Sequence, residues 1–159
     1  IDSLLMKKIV VIVCLFFSLK SCENPPFDTW SFVELENSSD KPIWVCGSYR
    51  HSRGFECQEW TAVDAGKCDE FFWSSGNIYK FLKAKDTLRV YISDVRPDGN
   101  INESMGWPEI LSKFKIVQRY DVSGDDLRLF KRGNLAYPPT ENMKSIKMWP
   151  PYEESANKQ

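Results

Sequence analysis

The residues of this 159-residue chain whose types could do chemistry are a few cysteines, one histidine and a loop crowded with carboxylates and amides. His51 is the only histidine, so a Ser–His–carboxylate triad or a Cys–His pair would have to use it. It stands beside Arg50 and Arg53 in a polar stretch, with no nucleophile elbow anywhere in the chain, and reads as a solvated loop residue. Cys46, Cys57 and Cys68 form an odd set. One disulfide and one free thiol account for them in an oxidising compartment. Cys46 and Cys57 lie symmetrically about His51-Ser52, so a hairpin turning there would face them across the ladder; Cys57 with Cys68 is the competing pair. Three cysteines without CxxC spacing, and one distant histidine, make a poor zinc site.

Oxygen ligands alternate in Asp98-Gly99-Asn100-Ile101-Asn102, with Asp94 and Glu103 nearby, which is a pattern calcium can use. The glycine follows the first ligand directly and no bidentate glutamate stands at the EF-hand distance, so Pro97-Asp98-Gly99 reads as turn chemistry instead. Asp121, Asp125, Asp126 and Glu109 could suggest a glycosidase pair, but Asp125 and Asp126 fit the first turn of a helix better. Six tryptophans (30, 44, 60, 73, 107 and 149) allow a sugar-stacking surface; most are expected in the core, with Trp149, flanked by Pro150-Pro151, the one expected outside it. No phosphate loop, HExxH or GxSxG occurs. No catalytic residue, metal ligand or cofactor is assigned.

The N-terminal residues carry an address. Met6-Lys7-Lys8 suits the basic start of an export signal, with Ile1 to Leu5 upstream of it. Ile9 to Leu19 is an apolar run of 11 residues, too short for the ~20 that a helix needs to span a bilayer but within the roughly 7–15 of a secretory signal. Leu19-Lys20-Ser21-Cys22 resembles the lipobox of bacterial lipoproteins, in which the cysteine thiol takes a diacylglycerol, cleavage falls just before it, and the new amine is acylated with a fatty acid such as palmitate. Lys20 departs from the small or polar residue usual there. An ordinary secreted protein cut near Ser21 and an uncleaved short anchor are the competing readings. Several acyl chains on Cys22 would hold the protein durably where one would not.

Residues 1–21 carry Lys7, Lys8, Lys20 and Asp2, so the remainder has a net charge near −3 against −1 for the whole chain. That gives no electrostatic case for nucleic acid. The expected organisation is upstream residues plus signal at 1–21, a tether at 22–29, a β-rich domain at 30–139 and a loose, Pro-broken tail at 140–159. Strands are expected at 30–36, 43–49, 55–63, 68–73, 87–93, 115–122 and 134–137. The clearest is Thr87–Ser93, where Leu88, Val90 and Ile92 alternate with Arg89, Tyr91 and Ser93. Short helices are expected around Ile78, Phe81 and Leu82; after Pro108, with Ile110, Leu111 and Phe114 inward; and after the capping box Ser123-x-x-Asp126, with Leu127 and Phe130 inward. The pattern predicts a mainly β chain, an antiparallel β-sandwich or partly open barrel with two or three short connecting helices.

Four segments carry a further resemblance: Asn37 to Ile43 (NSSDKPI), Asp86 to Asp94 (DTLRVYISD), Arg119 to Leu127 (RYDVSGDDL) and Ala136-Tyr-Pro138. In this order, with the signal, they look like the small uncharacterised lipoproteins of gut Bacteroidetes. That resemblance implies a fold and a location: the cell envelope, lipid-anchored, on the periplasmic face or the cell surface of an outer membrane. It implies no activity. The expected role is a non-enzymatic module binding protein or glycan through the loops 50–54 and 94–106. An immunity or inhibitor protein held at the membrane, or an enzyme with an unrecognised site, are the alternatives.

Overall fold

The structure is a computed structural model and describes residues 32–51, 54–74, 76–82, 86–130 and 134–156. Cys22, the signal and the tether lie outside the described residues. Two sheets face each other and do not close into a barrel.

The smaller sheet has β1 (Phe32–Asn37) at its centre. On one side it pairs antiparallel with β5 (Cys68–Trp73), on the other parallel with β8 (Asn134–Tyr137). Opposite β5 the register slips between Val33 and Glu34, leaving Phe71 as an extra residue. Such a bulge lets consecutive residues turn inward, and both Phe71 and Phe72 are buried. The larger sheet is built on β2 (Ile43–His51), β6 (Leu88–Ser93), β7 (Ile116–Val122) and β9 (Lys147–Trp149), all antiparallel. Along the outer edge of β2 run β3 (Gly54–Cys57) and β4 (Thr61–Val63).

The single strand expected at 55–63 is therefore two. Cys57 faces Ser48 and Thr61 faces Val45, so three residues, Gln58 to Trp60, stand against two on β2. This one-residue excess is a bulge that polar-apolar alternation does not announce. The expected loop Arg50–Gly54 is also shorter, because β2 runs on to His51 and β3 begins at Gly54. Ser52, Arg53 and the side chain of His51 lie outside what is described.

The core between the sheets includes Val33, Leu35, Val45, Phe72, Val90, Tyr120 and Leu135. Gly47 permits the close approach: a Cβ there would come within 2.6 Å of the Phe72 ring. Tyr120, fully buried, donates its hydroxyl across the layers to the Ala136 carbonyl at 2.8 Å. The buried Asn37 amide spans the turn that follows it, donating to the Lys41 and Val63 carbonyls at 2.9 Å each and accepting from Ser39.

The connecting helices are α1 (Ile78–Phe81), α2 (Trp107–Lys113) and α3 (Gly124–Arg128). Pro108 sits in the first turn of α2, and Ser123 and Asp126 form the reciprocal capping box before α3. Ile110 and Phe114 are buried with Cys46, Tyr91, Ile101 and Ile116 in a second apolar cluster on the outer face of the larger sheet. Leu111 is only half-buried.

Residues 140–156 correct the expectation of a loose tail. A 3-10 turn (Glu141–Met143) leads into β9, which extends the sheet beside β7, and α4 (Tyr152–Ala156) follows. Met143 and Ile146 belong to the main core, 0% and 3% exposed. Two single apolar residues three apart seal the end of the sandwich, and such sparse anchors do not stand out from polar, Pro-containing surroundings.

Candidate functional site

The bulge at Gln58–Trp60 turns Trp60 off the sheet and onto the outer cluster. Its ring packs 5.6 Å from Phe114 and its indole N–H donates to the Gly99 carbonyl at 3.1 Å. Gly99 holds φ +79°, which a turn glycine adopts without strain. Pro97-Asp98-Gly99 therefore presents a carbonyl to Trp60, and the long loop is fastened to the sheet edge. Between loop and sheet opens a cleft of about 500 Å³, lined by Trp44, Glu59, Trp60, Arg96, Pro97 and Asn100 among others. Both tryptophans are half-buried, while Glu59, Arg96 and Asn100 are exposed. Among the described residues those three side chains have no ion-pair or hydrogen-bond partner.

The two segments expected to carry contacts touch one another outside the cleft lining. Arg50 donates to the Glu103 carbonyl at 3.2 Å and stands 3.7 Å from its carboxylate. Asn102 accepts from the Ser104 amide and hydroxyl, a local turn that occupies the oxygen the calcium pattern would need. Among the described residues no three His, Cys, Asp or Glu side chains converge on a point. Asp125 and Asp126 open α3, Arg128 pairs with Asp125 at 3.1 Å, and Asp121 is taken by Arg119.

A second cavity, about 400 Å³, lies at residues 39–41, 94, 117–118, 137–138 and 155. Its polar groups are largely committed to one another. Lys41 meets Asp94 at 3.0 Å, which raises the ammonium pKa. Buried Gln118 and Ser155 both donate to the Pro150 carbonyl. Burial, and next the Asp94 carboxylate, raise the Tyr137 hydroxyl.

The tryptophans depart from expectation: all five described ones are half-buried or exposed, and Trp73, at 52%, is more open than Trp149, at 37%. Trp149 lies on β9 and meets Trp107 edge-on at 5.3 Å and 75°. Arg119 lies 4.6 Å over Trp107 while its guanidinium grips Asp121 at 2.6 and 2.7 Å. A pair set at 75° is no flat stacking platform.

The cysteines divide as two and one. Cys57 faces Ser48 across the ladder, two residues from the register that symmetry about His51-Ser52 predicts. The sulfurs of Cys46 and Cys57 nevertheless lie 3.2 Å apart, as free thiols, since Cys46 stands two residues along β2 from Ser48 and so on the same face as the residue Cys57 opposes. Cys68 is exposed on the other sheet, its sulfur 3.8 Å from the Asn134 amide.

Among the described residues no helix is long and apolar enough to cross a membrane. Comparison with protein-family models, with curated proteins and with solved structures finds no match.

Proposed function

We propose that this protein is an envelope lipoprotein, held to a membrane by acyl chains on Cys22, that binds a saccharide in the Trp44–Trp60 cleft without transforming it. The observation that carries the binding reading is the cleft itself. Indole faces cover the apolar faces of a sugar ring, and the planar groups of Glu59, Arg96 and Asn100 suit pairs of hydroxyls. Trp60 is already fixed by its bond to Gly99 and its contact with Phe114, so little freedom remains to be lost on binding. The short apolar run Ile9–Leu19, followed by Lys20-Ser21-Cys22, supports the anchor.

Anchoring is tested by membrane fractionation. The wild-type chain is expected in the membrane pellet, released by detergent, and the Cys22→Ala chain in the soluble fraction. A Cys22→Ala chain that stays with the membrane overturns the lipid anchor. The protein-partner reading has its own observation, the Arg119–Trp107–Trp149 cluster, since Trp and Arg are enriched where proteins bind one another. Binding lost with Trp149→Ala and kept with Trp60→Ala would favour it.

A further inference from the structure

We propose that Cys46 and Cys57 form a thiol–disulfide exchange site that accepts small disulfides, with Cys57 the attacking sulfur and Cys46 the resolving one. The proposal rests on neither the saccharide reading of the cleft nor the anchor. Three observations carry it. The sulfurs lie 3.2 Å apart, close enough to bond with small side-chain shifts. Burial divides the roles: Cys46 is fully buried, while Cys57 is half-buried at the rim of the outer cluster. The surroundings add a donor to Cys57: the Ile101 backbone N–H is directed at its sulfur, while the Gln58 carbonyl lies nearer Cys46, at 3.1 Å, than Cys57, at 3.4 Å. The Cys46 thiol most, and that N–H less, stabilise a Cys57 thiolate and lower its pKa against the opposing effect of burial. The same neighbour, with burial, keeps Cys46 protonated. A buried partner beside a more accessible, more acidic thiol is the arrangement that exchange requires.

The chemistry balances as follows. The Cys57 thiolate attacks one sulfur of a disulfide R–S–S–R′. The S–S bond breaks, R′S⁻ leaves and takes up the proton Cys57 gave, and Cys57 is joined to R. With the anion gone from its side, Cys46 gives up its proton and attacks the Cys57 sulfur. RS⁻ leaves with that proton, and the Cys46–Cys57 disulfide is formed. Two thiols are oxidised and one external disulfide is reduced to two thiols.

Cys68 is an internal reference. Partial burial, and next the carboxylates of Glu34, Glu36, Asp69 and Glu70, hold its thiol up at about 11. Against a Cys57 below its ordinary 9.0, Cys68 has at least ~100-fold less thiolate at pH 7. Nucleophilicity falls as pKa falls, with a Brønsted slope near one half, so the net advantage of Cys57 is at least about tenfold in rate. The test exposes the reduced full chain to glutathione disulfide at pH 7, quenches by alkylation and maps each cysteine by peptide mass. The wild-type chain is expected to give a Cys46–Cys57 linked peptide. Cys46→Ser is expected to stop at a glutathione adduct on Cys57, and the wild-type chain to lose its Cys57 thiol at least tenfold faster than its Cys68 thiol. A wild-type chain with native fluorescence that yields no such link, or a link through Cys68, overturns the proposal. So does a wild-type Cys68 thiol lost as fast as the Cys57 one. The wild-type measurement stands even if a variant fails to fold.

Discussion

Met143→Ala should destabilise the fold more than any surface change in the last twenty residues. Met143 is 0% exposed and lies in the main core. Truncating a buried methionine to alanine costs about 2–5 kcal/mol, according to how far the site collapses. Collapse is hindered here, because the neighbouring wall is the backbone of β8: the Ala136 N–H donates to the Met143 sulfur at 3.4 Å, while the Ala136 carbonyl is held by Tyr120. Losing the sulfur also leaves that buried N–H without its acceptor, a cost of about 1 kcal/mol or more. The expected loss is thus about 3–5 kcal/mol, a large share of the ~5–15 kcal/mol that stabilises an ordinary domain. Equilibrium unfolding in urea, followed by tryptophan fluorescence, measures it as a fall in midpoint at unchanged slope. Exposed Asn142→Ala is the control, expected within about 0.5 kcal/mol of wild type. A Met143→Ala protein as stable as that control would refute the claim that residues 140–156 close the core.

Tyr120→Phe removes the one described hydroxyl bridging the two sheets through Ala136 and should cost about 1–2 kcal/mol in the same unfolding experiment, with no loss of secondary structure by circular dichroism. Gly47→Ala drives a methyl into the Phe72 ring and should cost about 1–3 kcal/mol, partly recovered in the double variant Gly47→Ala, Phe72→Leu. Additive costs in that pair would show that the two residues do not compete for one space.

How far the fold could be read depended on how local its causes were. Leu88–Ser93 alternates because one face meets the core and the other the outer layer, so its period is written in six consecutive residues. The capping box was equally legible, since Ser123 and Asp126 satisfy one another within one turn. The parallel pairing of β1 with β8 was not, because its partners are about a hundred residues apart and no spacing rule joins them. The bulge at Gln58–Trp60 was hidden because Phe55 to Val63 stays strand-like throughout, and that bulge brings Glu59 and Trp60 to the cleft. The proximity of Cys46 and Cys57 was anticipated through a register that proved two residues out. Most of the six tryptophans are expected in the core, and nothing in the sequence marks which ones line a surface cleft, as Trp44 and Trp60 do.

The central claim is that the Trp44–Trp60 cleft is a saccharide site, and affinity electrophoresis tests it most directly. The protein is run through native gels containing each of a panel of soluble bacterial and plant polysaccharides, beside Trp60→Ala and Trp149→Ala. The account predicts that at least one polysaccharide retards the wild-type chain and Trp149→Ala, while Trp60→Ala migrates as it does in an empty gel. Equal retardation of all three chains, or none of any chain across the panel, would contradict it.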